Sequence, residues 1–193
     1  MKTQEIIGYK RANLGKAQVN ALRAEGQVPC VLYGGNEQIH FSVPMILFRD
    51  LVYTPEAHIV ELNIEGDKHR CILQDVQFHP VNEIILHADF LLLNDQKEVK
   101  IDVPIKFKGN APGVQKGGKL ITKLRKIKIK SLPNKLPDYI EVDVSGLDLG
   151  KSVKVGDILT DQFTILNSPL VSIASVEVPR ALRGKGAEGD GKE

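Results

Sequence analysis

The chain has no tryptophan, 5% aromatic residues and two cysteines among its 193 residues. So few aromatic side chains leave little material for a platform that stacks nucleic-acid bases. Cys30 and Cys71 are too few for a disulfide framework, so reduced thiols in a cytoplasmic protein are expected. No run of 18 apolar residues occurs, which excludes a transmembrane helix, and no membrane partner is expected. The start, MKTQEIIGYKR, lacks the apolar core of a signal peptide, so we expect no export.

Sequence motifs typical of enzymes are also scarce. The sequence has no Ser-centred elbow, dinucleotide fingerprint or Cys-x-x-Cys pair. The segment GVQKGGK at 113–119 fits the spacing of a phosphate-binding loop, but Leu120 stands where that loop needs Ser or Thr for Mg²⁺. The residues on both sides of this segment also alternate between apolar and polar, as in the two strands of a hairpin. His87 and Asp89 share a strand face, yet neither they nor His79 have a further ligand at metal-binding spacing. We therefore predict a protein that is not an enzyme and has no cofactor, and a nucleotide-dependent enzyme using 113–119 is a weaker alternative.

Charge is distributed unevenly along a chain whose formal net charge is only +2. Residues 1–24 hold five basic residues against one acidic residue, whereas residues 25–94 hold three basic and ten acidic ones. Residues 106–135 carry ten Lys or Arg residues and no acid. Two separate basic zones suggest a polyanionic partner that is met at chosen surfaces, although charge alone favours the simpler interpretation of a solvated basic face.

Residues 1–94 predict a small β-barrel with two short helices. Apolar runs and alternation predict strands at 4–10, 28–33, 39–43, 59–64, 69–78 and 84–93. Helical spacing predicts helices at 16–25, which Gly26 terminates, and at 44–53. Residues 65–68 read as a hairpin turn. Because the segment is mostly strand, we expect a closed sheet.

The pattern of apolar and charged residues changes after the polar residues 94–96, and we place the domain boundary between residues 94 and 95. Apolar residues alternate with charged ones from Val99 to Phe107, around Ile127 and Ile129, and again from 140 to 144. This pattern predicts an antiparallel, all-β, sandwich-like domain over residues 95–179. The four glycines of residues 180–193 and their near lack of apolar residues predict a disordered tail.

Polar residues are concentrated on one side of two strands in the predicted barrel. Alternation places Asp75, Gln77 and His79 on one face of their strand, and His87 and Asp89 on one face of the next. Amides, imidazoles and carboxylates suit the base edges and 2′-hydroxyls in the wide minor groove of RNA. The basic start of the chain would supply phosphate contacts. Taken one at a time, each residue is better explained as an ordinary strand-surface polar group.

A series of longer motifs resembles a known family. In the first domain these are Arg11 and the strings GKA at 15–17, LRAEGQVPCVLYGG at 22–35, QDVQFHP at 74–80 and HADF at 87–90. In the second they are APGVQKGGKL at 111–120 and LPDYIEVDVSGLDLGKSVKVGD at 136–157. In this order they resemble the bacterial large-subunit ribosomal protein twenty-five family, in its longer general-stress (Ctc) form. The resemblance covers residues from about 3 to 178.

The resemblance implies that the first domain binds 5S ribosomal RNA at the irregular loop E and its flanking helix. Carried over by position, the basic residues Arg11, Lys16 and Arg23 match phosphate contacts. Tyr33 matches a tyrosine that meets the RNA. The matching groove-facing residues are Gln74, Asp75, Gln77, His79, His87 and Asp89. Simple alternation, however, puts Gln74 on the opposite side of its strand from Asp75.

We therefore predict a structural, ribosome-associated protein of the large ribosomal subunit that binds 5S rRNA through its first domain. Its second domain, with the basic stretch 106–135, is expected to contact neighbouring ribosomal RNA or protein. Magnesium bridging a carboxylate such as Asp89 to the RNA is a further hypothesis. The alternative function is a stress-response accessory factor that binds the ribosome transiently.

Overall fold

The computed structural model describes residues 1–35, 37–158, 160 and 162–179. It divides the chain into two compact units. Unit 1 comprises Met1–Ile101 with Ser131–Asp138, and unit 2 comprises Asp102–Lys130 with the chain from Tyr139 onward. The boundary expected between residues 94 and 95 stays a prediction, and the expected tail at 180–193 lies outside the described residues.

Unit 1 contains a closed six-stranded barrel. Its strands are β1 (Lys2–Lys10), β2 (Gln27–Tyr33), β3 (Ile39–Pro44), β4 (His58–Ile64), β5 (Asp67–Phe78) and β6 (Ile85–Leu92). They are hydrogen-bonded in the order β1-β3-β2-β6-β5-β4, and β4 pairs with β1 to close the ring. The β1–β4 and β2–β6 pairs are parallel, and the others are antiparallel. The predicted barrel is thus confirmed.

Two helical segments connect the barrel strands close to where the sequence predicts them. Helix α1 (Lys16–Ala24) packs against β2. It is followed by Gly26, whose φ of 73° is in the left-handed region that glycine tolerates at a helix end. The second segment is a 3₁₀ turn over Met45–Phe48 that continues into α2 (Arg49–Val52). None of the helices in the described part of the chain is long and apolar enough to cross a membrane.

The barrel interior is filled by apolar side chains from all six strands and from the second helical segment. Phe90 is fully buried, and its ring centroid lies 5.7 Å from that of Phe41 and 6.2 Å from that of Phe48. Both thiols, Cys30 and Cys71, are free and buried in this core. Burial raises the pKa of Cys71 to about 12, so this thiol stays protonated at neutral pH. These cysteines are core residues, as expected of small apolar side chains in strands.

Unit 2 holds two sheets. Its strands are β7 (Val99–Lys108), β8 (Lys119–Thr122), β9 (Lys126–Ser131), β10 (Ile140–Asp143), β11 (Ser152–Lys154), β12 (Thr164–Ile165) and β13 (Ser172–Glu177), with the start of β7 and the last residue of β9 belonging to unit 1. One sheet has the order β10-β7-β9-β12 and the other β11-β13-β8. Helical turns intervene at α3 (Pro112–Gln115) and Val155–Asp157, and a third turn, Pro133–Lys135, lies in the segment that belongs to unit 1. The predicted class, mainly β with a barrel followed by a second β domain, is confirmed.

The expectation of a purely antiparallel second domain is wrong at one strand. Strand β10 pairs with β7 in parallel, with Ile140 opposite Ile105 and Val142 opposite Phe107. After β9 the chain passes through the 3₁₀ turn at Pro133–Lys135 and joins the other edge of β7. The direction of a pairing made through such a crossover is not encoded in the local alternation of residues.

Candidate nucleic-acid interface

Strands β5 and β6 bring four of the predicted residues into two adjacent cross-strand pairs. Asp75 lies opposite Asp89, and Gln77 lies opposite His87. Ala88, between the two β6 residues, is fully buried in the barrel core. The four polar side chains therefore point outward together, and we call Asp75, Gln77, His87 and Asp89 the polar face.

Gln74 reaches the surface through a β-bulge. The β5–β6 register passes from the Leu73–Phe90 pair directly to Asp75–Asp89, so Gln74 has no partner opposite it. A bulge adds one residue and resets the side-chain alternation. Both Gln74 and Asp75 are consequently exposed. Simple alternation, which puts the two on opposite sides of the strand, is wrong here.

His87 and Asp89 form a close polar pair on the outer side of β6. His87 Nδ1 lies 2.7 Å from Asp89 Oδ1, and each side chain is 31% exposed. The geometry of this contact does not make a hydrogen bond, and Asp89 Oδ1 is buried without a hydrogen-bond partner in the part of the chain that the structure describes. The rest of the carboxylate and the imidazole are partly exposed and can meet an external ligand.

Tyr33 lies on the strand next to β6, and carboxylates of the polar face affect its pKa. It ends β2, a strand that runs parallel to β6 and pairs with it directly. Burial and the negative charges of Asp89 and Asp75 raise the pKa of Tyr33. The phenol is therefore neutral at physiological pH and retains an O–H that can donate.

His79 has an intramolecular role at the end of β5. Its Nδ1 accepts hydrogen bonds from the backbone N–H groups of Val81, at 3.2 Å, and Asn82, at 3.3 Å. Its own backbone N–H donates to the carbonyl of Ile84 at 2.8 Å. The imidazole thus shapes the loop between β5 and β6. Because Nδ1 is an acceptor, the neutral side chain carries its proton on Nε2.

Arg23 fastens α1 to β6. Its Nε and Nη2 donate to the carbonyl oxygen of Leu86 at 3.1 and 2.8 Å. Leu86 is the extra residue of a second bulge, since Gln77 pairs with His87 and Phe78 pairs with Ile85. The contact uses two of the five guanidinium N–H groups. Arg23 therefore positions the helix beside the polar face, a role that the resemblance does not imply.

Arg11 and Lys16 lie on either side of the loop that leads into α1. The Arg11 backbone N–H donates to the His40 carbonyl at 3.0 Å, and Nη2 donates to the Asn13 carbonyl at 3.4 Å. Arg11 also lines a cavity of about 300 Å³ between the end of β1 and α1. Lys16 begins α1 and is exposed, and no ion pair involving it is found in the described ranges.

The pKa of the Cys30 thiol is affected both by Arg11 and by a carboxylate of the polar face. Burial raises the pKa of the Cys30 thiol, the negative charge of Asp89 raises it further, and the positive charge of Arg11 lowers it. Both charges therefore act on the same residue of β2. In the strand register, the backbone N–H of Arg11 donates to His40, His40 pairs with Val31, and Val31 pairs with Asp89.

The pairing of β3 with β2 adds one residue that the sequence motifs do not single out. His40 is paired with Val31, and Val31 is paired with Asp89 on its other side. Because Phe41 and Cys30 point into the core, His40 and Val31 face outward in the row that contains Asp89 and Asp75. Only the register between strands reveals this position, since the local pattern around residue 40 does not encode it.

The candidate sites for enzymatic chemistry lack the necessary geometry. Among the residues that the structure describes, no three His, Cys, Asp or Glu side chains are grouped so as to hold a metal ion. In the segment 113–119 a one-turn helix precedes a strand, the reverse of the strand–loop–helix order of a phosphate-binding loop. Strands β7 and β8 flank this Gly-rich segment as expected, but they lie in different sheets, so the expected hairpin pairing is wrong. Gly118 closes the turn, where a Cβ would come within 2.6 Å of the Gly113 carbonyl oxygen.

Comparisons with known proteins agree with this architecture. The Ribosomal L25p family model matches residues 6–90, and the model for the C-terminal domain of ribosomal protein TL5 matches residues 98–180. A large ribosomal subunit protein bL25 from Cytophaga hutchinsonii is 55% identical over 95% of both chains. Its counterpart from Amoebophilus asiaticus is 54% identical over 100% of this chain and 98% of its own.

These matches confirm the resemblance inferred from the motifs. The family consists of structural, non-enzymatic ribosomal components, so the predictions of a structural ribosomal role and of no catalysis are confirmed. Association with ribosomes in the cytoplasm, as predicted, follows for a member of this family. Two family domains in order, and sequence identity above half along nearly the whole chain, show that the protein belongs to the bL25 family of large ribosomal subunit proteins.

Proposed function

We propose that this protein is a structural component of the large ribosomal subunit that binds 5S rRNA through unit 1, at the loop E region that the family resemblance implies. The observation that carries the proposal is the polar face, where Asp75 is paired with Asp89 and Gln77 with His87 on adjoining strands. Tyr33 ends the strand that pairs with β6, and the Arg11 backbone donates to His40 on the strand beyond it.

The chemistry of the polar face fits an RNA groove better than a bare phosphate backbone. Carboxylates only accept hydrogen bonds, so Asp75 and Asp89 require donors such as 2′-hydroxyls or base amino groups. Gln77 both donates and accepts. The wide minor groove of an A-form helix presents 2′-hydroxyls and base edges to a protein surface. The face thus favours a partner of defined groove shape.

The cations would complete the interface by holding the phosphates. Arg11 and Lys16, on either side of the loop before α1, would reach a backbone that flanks the groove, and Arg23 has N–H groups beyond the two that bind Leu86. Phosphate contacts set the position of the protein but carry no sequence information. Selectivity for the loop E region would therefore come from the polar face.

The decisive measurement compares 5S rRNA with a regular RNA duplex, using the full chain and fluorescence anisotropy. His87→Ala should weaken binding to 5S rRNA by about tenfold, because each good base-edge contact contributes about 1–3 kcal/mol, and should weaken duplex binding much less. His69→Ala is the matched control, since His69 lies at the opposite end of β5. Equal losses on both RNAs would remove His87 from the recognition surface.

The phosphate contacts are tested by the dependence of binding on salt. Arg11→Ala and Lys16→Ala should each reduce the slope of log K against log salt by about one. Unchanged slopes would show that these residues do not contact phosphates.

Retention on isolated large subunits distinguishes the structural component from a transient accessory factor. A structural component should remain bound through a high-salt wash, because the hydrogen bonds of the polar face are less sensitive to salt than ion contacts alone. Quantitative release in that wash would favour the accessory factor.

A further inference from the structure

Strand β9 and the loop before it carry four exposed cations, which we call the basic strip: Lys123, Arg125, Lys126 and Lys128. None of these four side chains forms an ion pair with another residue in the described ranges. The strip lies in unit 2, apart in sequence from every residue of the polar face. Its four positive charges are therefore available to a partner.

Other lysines of the same basic stretch are already engaged. Lys108 Nζ lies 3.8 Å from Glu141 Oε2 on the neighbouring strand β10. Lys116 Nζ lies 3.0 Å from both carboxylate oxygens of Asp148. The ten basic residues of 106–135 thus include two compensated lysines, Lys108 and Lys116, and the four uncompensated cations of the strip, a distinction that the sequence count does not show.

The fold holds the strip in an ordered arrangement. Ile127 and Ile129 are fully buried, so Lys126 and Lys128 share the outward face of β9, with Cα atoms about 6.6 Å apart along the strand. A rigid strand presents these charges without the entropy cost of ordering a loop on binding.

The loop in front of β9 is anchored on both sides by backbone hydrogen bonds. The N–H groups of Lys123 and Leu124 donate to the Ile173 carbonyl at 2.8 and 3.1 Å, and Ile105 N–H donates to the Arg125 carbonyl at 3.0 Å. Its two cations are therefore presented from a fixed backbone, like those of the strand.

We propose that the basic strip binds the phosphate backbone of an RNA helix, as a second RNA contact separate from the polar face. Protein–protein interfaces are enriched in aromatic residues and depleted in lysine, whereas the strip is three-quarters lysine and contains no aromatic residue. It also lacks the amide, imidazole and carboxylate groups that read base edges. Binding through the strip is therefore independent of RNA sequence and strongly dependent on salt.

The test uses the full chain, a regular RNA duplex of mixed sequence, and binding isotherms between about 50 and 200 mM KCl. The double variant Lys126→Gln/Lys128→Gln should reduce the slope of log K against log salt by about two. Over this range the parent protein should lose about tenfold more affinity than the variant. The control Lys108→Gln/Lys116→Gln removes the same charge from compensated lysines and should retain the parental slope.

Each other outcome overturns the proposal. An unchanged slope in Lys126→Gln/Lys128→Gln means that the strip does not hold phosphates, and an equal reduction in both double variants means that only net charge matters. A parental slope on RNA combined with loss of the variant from large subunits identifies a protein partner instead. Melting by circular dichroism verifies that both variants are folded. The variants of Arg11, Lys16 and His87 test the 5S proposal separately, so one proposal can fail without the other.

Discussion

The exposed strand faces of units 1 and 2 are built by the same alternation but carry different chemistry. On β5 and β6 the outward residues form a mixed set of carboxylates, an amide and an imidazole. On β9 the outward residues Lys126 and Lys128 offer only positive charge. Hydrogen-bonding groups can discriminate between base edges and groove shapes, whereas point charges respond to any phosphate.

This difference teaches that basic residues alone do not locate selective RNA recognition in this protein. Residues 25–94, which contain the polar face, hold ten acidic residues and three basic ones. The carboxylates Asp75 and Asp89 stand opposite each other without an intervening cation in the register. Their mutual repulsion favours a ligand that donates hydrogen bonds to both. The selective surface is thus the less basic of the two.

The largest expected effect comes from a substitution in the core of unit 1, the unit that we propose binds 5S rRNA. Phe90→Ala removes a fully buried ring that contacts Phe41 and Phe48. It should lower the free energy of unfolding of unit 1 by about 3–5 kcal/mol and weaken 5S rRNA binding. Urea denaturation followed by tyrosine fluorescence measures this, because three of the four tyrosines (Tyr9, Tyr33 and Tyr53) lie in unit 1.

Ile129→Ala is the matched change in the core of unit 2. Ile129 is also fully buried, and its truncation should lower the free energy of unfolding of unit 2 by about 2–5 kcal/mol. The affinity of the folded protein for 5S rRNA should be unchanged. If Ile129→Ala in the folded protein impaired 5S binding as much as Phe90→Ala, the assignment of this function to unit 1 would be wrong.

The next effect separates two cations that carry the same charge near α1. Arg23→Ala removes two hydrogen bonds to the Leu86 carbonyl and should lower the free energy of unfolding by about 1–3 kcal/mol. Lys16→Ala removes an exposed charge and should change it by less than about 0.5 kcal/mol. Chemical denaturation of both variants provides the comparison. Equal stability losses would contradict a fastening role for Arg23.

The smallest effect is a pH dependence confined to unit 1, which holds both cysteines. Burial raises the pKa of Cys30 and of Cys71 in the folded state, so the folded protein keeps both protons above pH 9 while the unfolded chain loses them. The stability from this source is fully present below pH 9 and falls as the pH rises, by about 1 kcal/mol per thiol at pH 10.

Urea denaturation between pH 8 and 10 measures this slope. Cys71→Ala should make the decline in unit 1 shallower by one thiol's contribution, whatever its effect on stability at neutral pH. A variant with the same pH slope as the parent would show that the Cys71 thiol ionises alike in the folded and unfolded states.

Much of the local structure could be predicted from residue patterns. The helix beginning at Lys16, the strand ending at Phe78 and the alternation around Ile127 and Ile129 are found where the sequence predicts them. The hairpin turn is narrower than predicted: Glu65 and Gly66 take positive φ values and form a two-residue turn, while Asp67 already pairs with Ile64. Such features depend on neighbours in the chain, which is why patterns reveal them.

The candidate site was predicted less completely. Asp75, Gln77, His87 and Asp89 follow from alternation once two adjacent strands are assumed, and the structure pairs them. The exposure of Gln74 did not follow, because a bulge depends on the partner strand. His79 turned out to hold its own loop, and Arg23 to bind a carbonyl 63 positions away in the chain.

The sequence by itself determined the composition of each face: which strands alternate, which side is apolar, and where cations accumulate without acids. Tertiary structure alone decided which outward residues become neighbours, since strand register, the two bulges and the parallel β7–β10 pairing join segments distant in the chain. It also decided which lysines are neutralised, because a carboxylate such as Glu141 compensates Lys108 only when folding brings their strands side by side. Local patterns encode backbone conformation and burial, whereas recognition depends on distances that exist only in the folded chain.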